Sequence, residues 1–91
     1  MRIFKYTFEQ SNRLSLLLPR DATPLSFQWQ QTTSAFQLYV LTDPLSTDLV
    51  TRHFRYFVTG HEEIGGDAFR FIDTAQALDG QFVAHCFEVD G

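Results

Sequence analysis

The sequence predicts an all-β protein, a small antiparallel β-sandwich or barrel of about seven strands in one domain covering residues 1–91. Three observations predict it. Apolar residues recur with period two, not 3.6, in almost every hydrophobic stretch. These stretches follow one another at short, regular spacing with polar turn residues between them. No segment sustains a helical pattern over more than about one turn.

Each strand can be justified in order. "RIFKYTFE" (2–9) puts Phe4, Tyr6 and Phe8 on one face and Lys5, Thr7 and Glu9 on the other. "RLSLLLP" (13–19) does the same with Leu14, Leu16 and Leu18, after the turn-like "QSN". "PLSFQWQQ" (24–31) alternates most cleanly, with Leu25, Phe27 and Trp29 against Ser26, Gln28 and Gln30. "SAFQLYVLT" (34–42) sets Phe36, Leu38 and Val40 against Gln37 and Tyr39, and "QTT" before it suits a hairpin. "TRHFRYFVT" (51–59) sets Phe54, Tyr56 and Val58 against His53, Arg55, Phe57 and Thr59. "AFRFIDT" (68–74) and "QFVAHCFEV" (81–89) complete the set, and the last, apolar on both faces, suits a central strand. Two linkers could each hold a helical turn: "TDPLSTDLVTR" (42–52) after Pro44, and "DTAQALDG" (73–80) ending at Gly80.

Composition limits the partners. A 91-residue chain has a thin stability margin, but 44% hydrophobic residues and ten Phe supply a core. Seven basic residues among eleven acids, net charge −4, give no broad patch for a nucleic-acid polymer. A small anion needs only two or three local donors and stays open. The single cysteine, Cys86, allows no internal disulfide, and no stretch reads as a signal peptide or membrane span. A cytoplasmic protein without membrane contact is the expectation.

The chemistry concentrates in "FRYFVTGHEEIGG" (54–66). His53, Arg55, Phe57 and Thr59 share one strand face, and Gly60 can turn the chain back toward His61. A guanidinium, a hydroxyl, a loop N–H and an imidazole are what a phosphate or carboxylate binds. The competing reading is structural: Arg55 pairs with Glu62, Glu63 or an acid of a neighbouring strand, while Thr59 and His61 tie down a turn. Tyr39, on the polar face of its strand, and Phe57 are candidates for stacking a base or contacting a subunit. His85 reads as a core histidine bonded to a backbone carbonyl, in preference to a ligand. His85 and Cys86 point to opposite faces and cannot jointly hold a metal, so no metal or cofactor is expected. No nucleophile elbow, phosphate loop or spaced carboxylate pair suggests an enzyme. Aromatics on both faces of several strands suggest a homo-oligomer.

"MRIFKY" (1–6), "LPRDATPLSFQWQ" (18–30), "LYVLTDP" (38–44), "RHFRYFVTGHEEI" (52–64) and "FVAHCFE" (82–88), in this order, resemble a family of short phage and prophage proteins known only as a domain of unknown function. Val58 and Glu62-Glu63 depart from its pattern of glycine and proline. The resemblance implies a viral or mobile-element origin and draws attention to Phe54, Arg55, Thr59, Gly60, His61 and, more loosely, His85. With the donor cluster it leads to a non-catalytic binding protein that sequesters a phosphorylated nucleotide-like signal of host defence, in the host cytoplasm. The alternative is an acidic inhibitor that binds a host defence protein, supported by Asp43, Asp48, Glu62, Glu63, Asp67, Asp73 and Asp79.

Overall fold

The computed structural model describes residues 1–60 and 64–91 and contains seven strands, with no helix among the described residues. They are β1 (Arg2–Thr7), β2 (Arg13–Pro19), β3 (Thr23–Gln30), β4 (Ala35–Thr42), β5 (Leu49–Val58), β6 (Ala68–Ala77) and β7 (Phe82–Val89). All pairings are antiparallel and form two sheets, β1-β4-β3 and β2-β5-β7-β6. The result is a sandwich. As its two-sided apolar sequence predicts, β7 lies inside its sheet, between β5 and β6.

Period-two alternation explains why the sheets pack as they do. Phe36, Leu38 and Val40 of β4, Phe27 of β3, Leu18 of β2 and Phe54 of β5 are buried between the layers. Phe8 joins them from the segment after β1. At one end the rings of Phe8, Phe27, Phe36 and Tyr56 form a cluster, with Phe27 and Phe36 stacked at 4.7 Å and Phe8 edge-on to Tyr56 at 5.1 Å. From the inner face of β6 and β7 the core receives mainly small residues, Ala75, Ala77, Ala84 and Cys86. Large residues on one sheet thus meet small ones on the other, which is how a two-layer core fills at native density.

Asp73 joins the edges of the two sheets. The β3 ladder shifts register between Pro24 and Ser26, and Phe27 N–H donates to Asp73 Oδ2 at 3.0 Å. Thr74 N–H donates to the other carboxylate oxygen. A carboxylate on β6 therefore takes up a backbone donor of the edge strand β3.

A second polar device lies between the layers. Arg52 and Glu88, both buried, form a forked pair with Nε and Nη2 each 2.7 Å from a carboxylate oxygen. Arg52 Nη1 also donates to the Ala22 carbonyl, which ties the β2–β3 connection to β5. The hydrogen bonds that Arg52 donates to Glu88 raise its pKa against the opposing effect of burial.

Neither segment that could hold a helical turn does so. Residues 43–46 form a turn closed by Ser46 N–H to Asp43 O, with Leu45 N–H capped by the Asp43 side chain, and β5 begins at Leu49. In 73–80, β6 continues to Ala77 and a tight hairpin follows, with Gln81 N–H bonded to Leu78 O. Asp79 and Gly80 take φ of 56° and 83°, the pair of left-handed residues that a type I′ turn requires.

Candidate functional site

The outer face of the four-stranded sheet carries most of the expected site residues. His53, Arg55 and Phe57 alternate along β5 on this side, and Thr59 continues the line past the strand end. The register adds neighbours from distant sequence. Arg13 of β2 lies directly opposite Arg55, Phe87 of β7 flanks Arg55 on the other side, and Phe71 of β6 pairs with Phe87. One row across the sheet thus reads Arg13, Arg55, Phe87, Phe71. Neighbouring strands are about 4.8 Å apart, so the row spans about 14 Å.

Phe57, from the neighbouring row, links Arg55 to the aromatic half of this one. The Arg55 guanidinium lies 4.5 Å from the centroid of the Phe57 ring. Phe57 packs edge-on against Phe87 at 5.9 Å, and Phe87 against Phe71 at 5.4 Å. Phe71 is 55% exposed, Arg13 is exposed and Arg55 half-buried. Two cations at one end and an open aromatic at the other form a bipolar surface, able to hold an anionic group and a flat ring at once.

The adjacent row holds a histidine network. His85 Nε2 is 2.7 Å from Thr59 Oγ1 and its Nδ1 is 2.9 Å from Thr74 Oγ1. Thr59 Oγ1 is also 3.2 Å from the Val83 carbonyl. The Thr59 hydroxyl has one proton, so if it donates to Val83, His85 must donate from Nε2 and accept from Thr74 at Nδ1. Further along β5, His53 Nδ1 is 2.7 Å from Ser15 Oγ.

Several sequence expectations change in this geometry. Thr59 anchors the strand end through its backbone N–H to Val83 O and through its hydroxyl, the turn-fixing role weighed against ligand binding. Gly60 has φ of 78° with open space where a Cβ would sit, so backbone conformation alone accounts for glycine there. His85 lies on the outer face, half-buried, and bonds hydroxyls instead of a backbone carbonyl, because β5 and β6 place a threonine on each side of it. Phe57 is 2% exposed beneath Arg55 and has no free face for a base. Tyr39 lies on β4, on the outer side of the other sheet beside Lys5 and Ser26, and does not converge with Arg55. His61, Glu62 and Glu63 lie outside the described residues.

Residue-by-residue reading missed Arg13, Phe71 and Phe87. Arg13 begins the polar phase of "RLSLL", Phe71 alternates with Arg70, and Phe87 sits on a strand with two apolar faces, so a signal was present but carried no partner information. Cys86 is buried on the inner face, and burial, followed by the charge of Asp73, pushes its thiol up to about 12. It is a packing residue. Among the described residues no group of three or more His, Cys, Asp or Glu is arranged to hold a metal, and no helix is long and apolar enough to cross a membrane.

No curated protein and no solved structure matches the chain. The family model of a domain of unknown function (DUF7352) matches residues 1–91, and the chain, with its seven-stranded sandwich, belongs to that family.

Proposed function

We propose that this protein is a non-catalytic binder that sequesters a phosphorylated, nucleotide-like ligand on the outer face of its four-stranded sheet. In the finer form of the proposal the ligand is a signal of host defence and the bearer a phage or prophage, which rests on the family resemblance alone. The row Arg13, Arg55, Phe87, Phe71 carries the binding reading. The register places two guanidinium-bearing residues directly opposite one another, where both can reach the same phosphate group. Guanidinium forks suit phosphate oxygens, and Phe71 supplies an open ring.

The competing reading, an acidic inhibitor of a host defence protein, draws less support. Asp43 caps a turn, Asp48 pairs with Arg20 at 3.2 Å, Asp73 bonds Phe27 N–H and Asp79 occupies a type I′ turn. Four of its acids thus have local structural roles.

Calorimetric titration against cyclic dinucleotides, cyclic oligonucleotides and ADP-ribose tests the proposal. One of them should bind, with affinity falling about 10- to 100-fold in Arg13→Ala and Arg55→Ala, as loss of a charge-assisted contact implies. Binding that neither substitution weakens would overturn it. Absence of binding to any would move the assignment to the inhibitor.

A further inference from the structure

We propose that the open end of the sandwich is a second binding site, for a neutral, polyhydroxylated ligand of mono- to disaccharide size. A cleft of about 960 Å³ opens there between the β1–β2 connection and the β3–β4 turn. Small-molecule sites typically enclose about 300–1,000 Å³. It opens between the layers, apart from the arginine-bearing outer face.

The lining fits a sugar better than a phosphate. Trp29 and Tyr56, both half-buried, supply aromatic surface, while the buried Phe36 ring backs Trp29 edge-on at 5.1 Å, so no parallel ring pair faces the cleft to sandwich a base. Gln10, Ser11, Asn12, Thr33 and Ser34 supply amides and hydroxyls around it. The described lining includes one carboxylate, Glu9, and no Lys or Arg, so an anionic ligand is disfavoured. A pyranose presents an apolar C–H face for a ring and hydroxyls for amides, which matches both halves of this lining.

The two turns hold one polar side chain each at the cleft. Gln10 and Ser34 have φ of 52° and 48°, in the left-handed region that glycine occupies without penalty. One lies in each of the two segments that frame the cleft, and both line it. Both segments are also fixed in place. Asn12 Nδ2 donates to Tyr56 O while Tyr56 N–H donates to Asn12 O, and Ser34 N–H closes the other turn onto Gln31 O.

Trp29 is the sole tryptophan of the chain, so its emission reports on this cleft directly. Titration with maltose, cellobiose and N,N′-diacetylchitobiose should give a saturable emission change with at least one of them. Gln10→Gly and Ser34→Gly delete the polar groups at positions whose φ suits glycine. They should keep or raise Tm yet weaken binding about tenfold each, while Arg55→Ala leaves it unchanged. No saturable change with any of the three at millimolar concentration would overturn the proposal, as would binding undiminished in both glycine variants. Failure here leaves the outer-face site unaffected, because the two sites share no residue.

Discussion

Arg52 and Glu88 show how much one residue can depend on another. Each is a charge removed from water and matched by a partner at 2.7 Å. Removing one strands the other, so Arg52→Ala should cost about 3–5 kcal/mol in denaturant unfolding. Replacing both, as Arg52→Met with Glu88→Leu, should cost far less and may not be assumed additive with the single change. Cys86 gives a pH prediction at the same scale. Its native pKa of about 12 lies above the unfolded value near 9, so the native state holds the proton more tightly. Its contribution is complete below pH about 9 and is lost as pH rises toward 12, at up to about 1.4 kcal/mol per unit. Cys86→Ala should flatten that fall, which unfolding curves measured across pH 8–11 would read directly.

The elements were legible where alternation is strong. "PLSFQWQQ" and "SAFQLYVLT" announce β3 and β4 almost to the residue because large apolar and polar side chains take turns. The end of β6 was not legible: Ala75 and Ala77 bury the inner phase with side chains too small to stand out against Gln76. Asp79-Gly80 carried the missing signal, since this dipeptide readily supplies the two positive φ values of a hairpin turn. Gly80→Ala should therefore destabilise the protein by about 1 kcal/mol, with the new Cβ 3.3 Å from Gln76 Oε1. The candidate site was legible only along one strand. That His53, Arg55 and Phe57 share a face follows from local spacing, whereas Arg13, Phe87 and Phe71 meet them through a register set by contacts distant in sequence. Asp73 belongs to this second kind, because its partner is the backbone of a strand 46 residues away.

At the scale of the molecule, two sheets bury one core and leave their outer faces to do different things. The β1 and β2 edges border an apolar groove near Phe4, Leu17 and Leu49, with Leu17 65% exposed. The homo-oligomer expected from the aromatic content is carried forward as a proposal with that groove as its natural seam. Sedimentation velocity at rising concentration should show self-association that Leu17→Glu abolishes; a monomer at every concentration would refute it. The other feature, the arginine–phenylalanine row, is open to a thermal-shift screen. Purified wild-type protein and its Arg55→Ala variant would be heated with cyclic dinucleotides, cyclic oligonucleotides, ADP-ribose derivatives and simple phosphates. A ligand at 100 times its Kd adds about 2.7 kcal/mol, several degrees for a domain of this size. A ligand held by the row gives such a shift in the wild type and loses it in Arg55→Ala. No shift with any of these ligands, or an equal shift in both proteins, would contradict the proposed binding.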